Sequence, residues 1–170
     1  MGENNMSAVE PWLRGTLGEM SAVGRAVLHA LELAKEDLWK WCFRLRDDQL
    51  NQPMGDVAPV AFHLRHIARS LDRLLTYAEG GTLNEAQLAL LRSELQPGAK
   101  HDEVFAELEN SLMRSMQRVW QLASADLETR RRVGKKQLPT TIGGLLVHVA
   151  DHTQRHVGQA IVTAKLVSRR

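Results

Sequence analysis

The sequence predicts an all-α fold, a four-helix bundle, and three observations carry that reading. Four long segments repeat apolar residues every three or four positions, the helical period. None of the chain shows the strict alternation of a half-buried strand. The connections between the long segments hold the prolines and paired glycines that end helices. Long amphipathic helices without strands bury their apolar stripes best against one another.

Residues 1–18 are polar and interrupted by Pro11, Gly15 and Gly18, so they read as an N-terminal extension, with Trp12 and Leu13 packing back onto the body. The bundle proper is expected over residues 19–167. Its first helix covers residues 19–45, with Val23, Val27, Leu31, Ala34, Leu38 and Leu45 on one side; His29 is isolated there as a surface or border residue. Residues 51–59 carry two prolines and a glycine and form a loop, after which Pro59 suits the first turn of the second helix. That helix runs to about Glu79, where Gly80 and Gly81 stop it. Its stripe is Val60, Leu64, Ile67, Leu71, Leu74 and Leu75, flanked on one side by His63, His66, Ser70 and Tyr77.

Thr82-Leu83-Asn84-Glu85 has the form of a capping box and opens a short extra helix through Leu95, ended by Pro97 and Gly98. The third long helix starts near Asp102 as N-cap and keeps Val104, Phe105, Leu108, Leu112, Met116 and Val119 together. Residues 126–139, with Arg130, Arg131, Arg132, Lys135 and Lys136, read as a solvated loop. Thr140 or Thr141 then caps the fourth helix, residues 142–167.

The chemistry concentrates in that last helix, where His148, His152 and His156 recur at four-residue intervals. Neighbours at that spacing have Cβ atoms roughly 5–6 Å apart, close enough for two rings to reach one cation. His148 and His156 are about 12 Å apart along the axis, so only one adjacent pair can share an ion. Ile142, Leu146, Val149, Val157 and Ala160 define the inward stripe; His152 and His156 lie just inside its border and His148 further round. A third ligand must come from another helix, and the second helix offers His63 or His66, between which spacing does not choose.

Composition narrows the function classes. The 22 Lys+Arg and 20 Asp+Glu leave a formal charge of +2, so no global field favours nucleic acid or an anionic membrane. The single cysteine, Cys42, excludes an intrachain disulfide, reads as a small buried hydrophobe, and fits a reducing compartment. No apolar run is long enough to span a bilayer, and the first six residues lack the parts of a signal peptide. A soluble cytoplasmic protein is the expectation. Thr153 after His152 means there is no H-E-x-x-H motif, which disfavours a zincin-type protease.

The runs Phe62-His63-Leu64-Arg65-His66-Ile67-Ala68, Leu74-Leu75-Thr76-Tyr77-Ala78-Glu79-Gly80 and, above all, His152-Thr153-Gln154-Arg155-His156-Val157-Gly158-Gln159 resemble the DinB/YfiT-like superfamily. The resemblance covers roughly residues 18–167. It implies an antiparallel-type four-helix bundle with a long crossover between the second and third helices, where the short extra helix is read. It also implies that His66, with His152 and His156, forms a three-histidine divalent site with open positions, holding zinc or nickel, often in a homodimer. Several relatives are transferases or isomerases that use a low-molecular-weight thiol, and others are labelled metal-dependent hydrolases. Thr153 stands where an acidic residue often follows the first ligand of the last helix, so the resemblance names no carboxylate behind the ligands.

Three neutral imidazoles leave an ion its full charge and a vacant position, an arrangement suited to catalysis. Thiol S-transfer to a small electrophile is the leading reading, with hydrolysis as its rival and a non-catalytic metal- or ligand-binding bundle as the third. Ser70, Tyr77 and Gln159 are candidates for orienting the ligand rings or touching substrate, and His63 and His148 for supporting groups or proton carriers. Arg131 and Arg132 would attract the carboxylates of a thiol cofactor if their loop folds over the metal end.

Overall fold

The computed structural model describes residues 9–169. The described residues form six α-helices: α1 (Ala22–Trp41), α2 (Asp47–Leu50), α3 (Val60–Ala78), α4 (Glu85–Arg92), α5 (His101–Leu122) and α6 (Ile142–Val167). Two short strands, β1 (Arg130–Val133) and β2 (Leu138–Thr141), pair antiparallel with Arg130 opposite Thr141. Among the described residues no helix is long and apolar enough to cross a membrane.

The four long helices form a ring in the order α1, α6, α3, α5. Their directions follow from cross-links. Lys35 meets Glu109 at 2.8 Å while the Ser21 hydroxyl donates to the Ala123 carbonyl at 3.2 Å, so α1 and α5 run antiparallel. Arg69 meets Glu107 at 2.7 Å and Arg118 meets Glu79 at 2.6 Å, so α3 and α5 run parallel. Gln154 donates to the Ala30 carbonyl at 2.7 Å and Lys165 sits 4.0 Å over Trp41, making α1 and α6 parallel. The bundle is therefore up-down-down-up, and the α3-to-α5 connection is the long crossover that a parallel pair requires.

Inside the ring the stripes merge into one core, with Leu31, Leu38, Leu64, Ile67, Leu71, Leu108, Leu112 and Leu146 fully buried. Cys42 is buried there too, and burial pushes its thiol up to about 12. At Gly24 the backbones of α1 and α5 come so close that a Cβ would collide with Ala123 and Met20.

Several boundaries differ from the sequence expectation, each for a local reason. α1 starts at Ala22, because Ser21 caps it by accepting from the Gly24 amide, and it ends at Trp41 rather than 45. α5 starts at His101, one residue before the expected cap Asp102. Its first amide is held by Asp47 Oδ1 at 2.8 Å, an acceptor supplied by α2, which periodicity did not reveal. α4 is capped by Asn84 with Gln87 rather than by Thr82 with Glu85, and stops at Arg92. The basic run expected as a loop is a β-hairpin; arginines at the first three of the four positions of β1 hide any alternation of apolar residues.

In the N-terminal extension, residues 1–8 lie outside the described residues. Trp12 and Leu13 do not pack back: they are 61 % and 56 % exposed, and Pro11 is the buried residue of that turn. Arg14 binds Glu36 with two hydrogen bonds of 2.6 and 2.9 Å, and Thr16 Oγ1 lies 3.0 Å from His29 Nε2. His29 is consequently buried, not at the surface.

Candidate metal centre

The antiparallel pairing of α3 with α6 sets His63 and His66, in the first two turns of α3, against His156 and His152 near the middle of α6. One nitrogen from each of His66, His152 and His156 lies within 4.8 Å of the others, a set that could hold a metal ion. His66 Nε2 and His152 Nε2 are 2.9 Å apart. Phe62 stacks on the His66 ring, with centroids 5.3 Å apart and planes inclined by 23°.

The protonation pattern of the rings fits a cation. His66 Nδ1 donates to Glu94 Oε2 at 2.6 Å, and the other Glu94 oxygen takes a 2.7 Å hydrogen bond from Arg73. Burial alone would push the Glu94 carboxyl up, but the bonds from His66 and Arg73 and the Arg73 charge outweigh it and hold it below the ordinary range. An ionised carboxylate only accepts, so Nδ1 of His66 carries the proton and Nε2 presents a lone pair to the cluster. His156 Nδ1 faces His63 Nδ1 at 3.1 Å, which leaves His156 Nε2 as the nitrogen available to an ion. Burial, then repulsion from the neighbouring rings, lowers His63, His152 and His156 to about 4, so these rings are neutral at pH 7 and able to ligate.

The other residues singled out from the sequence are placed variously. His63 is buried behind His156, not exposed. Ser70 donates to the Ile67 carbonyl of its own helix at 3.2 Å and orients no ring. Tyr77 is half-buried, 11 residues further along α3 than His66 and so about 16 Å away along the axis. His148 is exposed and pairs with Asp151 at 3.3 Å, its ring centroid 5.3 Å from that of His152. Gln159 is exposed and lines a cleft of about 750 Å³ that His63 and Phe62 also line.

Arg131 and Arg132 do not fold over the histidines. Arg131 Nε donates to the Ala78 carbonyl at 2.7 Å, and Ala78 is 12 residues, about 18 Å of helix, beyond His66. Arg132 is exposed on the same hairpin.

Glu94 is the functional residue that sequence reasoning missed. It follows α4 in the connector, where spacing relates it to no histidine. The connector is held against α3 by three arginines one turn apart: Arg65 donates to the Gln96 carbonyl at 2.6 Å, Arg69 to the Leu90 carbonyl at 2.9 Å, and Arg73 to Glu94. That i, i+4, i+8 row of arginines was the available signal. Thr153, by contrast, is 1 % exposed and faces the core between Val149 and Val157, so an acid there would be buried rather than placed behind a ligand.

The chain finds no match among curated proteins. Its sequence does match the DinB superfamily over residues 30–160, a span that runs from the first long helix through His63, His66, Glu94, His152 and His156 to the Gln159 that ends the H-x-x-x-H-x-G-Q motif. With the histidines meeting across two helices of an up-down-down-up bundle, that match over most of the chain makes it a member of the DinB superfamily.

Proposed function

We propose that the chain is a divalent-metal-dependent enzyme in which His66, His152 and His156 hold the ion, and that its reaction is transfer of a thiol sulfur to a small electrophile. The observation that supports this most is the ring geometry: three rings from two helices converge, and the far nitrogen of His66 is fixed by a buried carboxylate. Such a carboxylate–histidine pair raises ligand basicity and locks the tautomer. A zinc or nickel ion on three neutral imidazoles would keep its double charge and an open position, and so would favour the anionic form of a thiol or water that reaches it.

The protein's own groups have separate tasks. Glu94 and Arg73 hold the His66 ring in place, and Phe62 covers one face of it. With His156 Nε2 turned to an ion, His156 Nδ1 would carry the ring proton and donate it to His63 Nδ1, 3.1 Å away. The cleft lined by Phe62 and His63 offers room for a drug-sized molecule next to the rings. The thiol component of the reading comes from the family resemblance. Hydrolysis, with water in place of the thiol, uses the same residues.

Tag-free protein should carry about one divalent ion per chain by elemental analysis, and should consume glutathione together with 1-chloro-2,4-dinitrobenzene or an epoxide in a chelator-sensitive way. Ester cleavage without thiol consumption would instead assign hydrolysis. Absence of both reactions with the ion in place would reduce the site to metal binding.

A further inference from the structure

Among the described residues three buried side-chain atoms lack any hydrogen-bond partner: His63 Nε2, Thr153 Oγ1 and Thr163 Oγ1. Thr153 faces the core. The other two belong to residues that line one cleft, the opening of about 750 Å³ between the start of α3, the preceding loop and the second half of α6. His63 is 3 % exposed and Thr163 1 % exposed. Buried polar groups without partners are uncommon in native proteins, and each calls for an explanation such as a ligand, ion or water. Two such residues, one from α3 and one from α6, border the same cleft and point to something that enters it.

The rest of the lining says what enters. Val57, Phe62 and Val162 make the walls apolar, and Val57 and Val162 are large hydrophobics left open to solvent. Arg155 stands at the rim and spends one donor on Asp151 at a long 3.3 Å, while Gln159, one turn on, adds an exposed amide. Asp56 lies on the loop that forms another part of the lining. An arginine fork matches a carboxylate, the two orphaned atoms and the amide supply further hydrogen bonds, and the walls suit an aliphatic or aromatic body.

The geometry points to this cleft as a binding site for a small carboxylate with an apolar body, its anionic group toward Arg155 and Gln159 and its hydrogen-bonding groups toward His63 and Thr163. The inference uses the cleft and its orphaned atoms alone and does not depend on an ion at the histidines. The cleft is the one proposed above to admit the small molecule, so the site rests on that placement and names the chemical class it takes, while binding to metal-free protein can fail with the ion site intact.

The test titrates metal-free protein with 4-phenylbutyrate, 4-phenylbutan-1-ol and 4-phenylbutylamine, followed by amide and methyl NMR and by calorimetry. Saturable shifts at Phe62, Val162 and Thr163 are expected, with the carboxylate binding tightest and the amine weakest. Arg155→Gln should weaken the carboxylate about tenfold and the alcohol little. Thr163→Val, close in shape to the native residue, should weaken binding several-fold while leaving the fold intact, because a group that served only structure would lose nothing by shedding an unpaired hydroxyl. Unfolding curves of both variants check that they fold. The site is overturned if no probe gives saturable shifts there, if the amine binds as well as the carboxylate, or if affinity is indifferent to both substitutions. Shifts confined to the metal-free histidines would also overturn it, since they would place the probe in the empty ion position.

Discussion

Glu94 Oε2 accepts a 2.6 Å hydrogen bond from His66 Nδ1, joining the connector between α3 and α5 to the histidine cluster. The carboxylate is itself fixed by Arg73 at 2.7 Å, so ring, carboxylate and guanidinium form one row around a buried carboxylate. Removing the charge of Glu94 should loosen the ring without deleting a ligand. Glu94→Gln is expected to weaken zinc affinity by about 10–100-fold, measured by competition with a chromophoric chelator, whereas His66→Ala should abolish specific binding. Equal affinity in Glu94→Gln and wild type would show that the carboxylate does not tune the site.

The same row has a structural role that can be separated from the first. Glu94→Ala leaves Arg73 as a nearly buried, uncompensated charge, and should lower stability by about 3–5 kcal/mol. Urea unfolding of the metal-free proteins measures this, with Glu94→Gln expected to lose clearly less.

Acid should act on the folded and unfolded chains differently. His63, His152 and His156 take up protons only near pH 4 in the folded protein, because burial and neighbouring rings oppose the charge. In the unfolded chain they do so near 6.5. Between those values the unfolded state binds more protons, so the stability of metal-free protein is complete above about pH 6.5 and is lost progressively as pH falls toward about 4. The urea midpoint should drop between pH 7 and pH 5; a midpoint that is flat or rises over that window would contradict buried, neutral rings.

Close packing of α1 on α5 gives a prediction remote from the cluster. Gly24→Ala places a methyl group where Ala123 and the Met20 side chain already sit, and should destabilise by about 1–3 kcal/mol despite the better helix propensity of alanine. Zinc affinity per folded molecule should be unchanged. A stabilised Gly24→Ala would mean that the two helices are further apart than described.

The four long helices were legible because each keeps its apolar residues at a 3.6-residue period over five or more turns, and the His152–His156 pair because a helix stacks residues four apart. The choice of His66 over His63 was not a matter of periodicity, since both lie on the same flank; the family resemblance supplied it, and the structure brings both near the α6 rings in different positions. Glu94 escaped because a contact between residues 28 positions apart depends on how the connector folds back. Asp47 capping α5 escaped for the same reason, being an acceptor donated across the chain to a helix whose own sequence offered Asp102. In the hairpin, arginines on both faces of β1 erased the pattern that would have marked a strand, and the anchoring of Arg131 to the end of α3 could not be seen from charge alone.

The most direct test of the metal assignment is a zinc-edge anomalous difference map from crystals of the zinc-loaded protein. A single strong peak is expected with nitrogens of His66, His152 and His156 about 2.0–2.1 Å away and Glu94 still bonded to the far side of His66. A peak that His66 does not ligate, or zinc held only by exposed groups such as His148 and Asp151, would contradict the account.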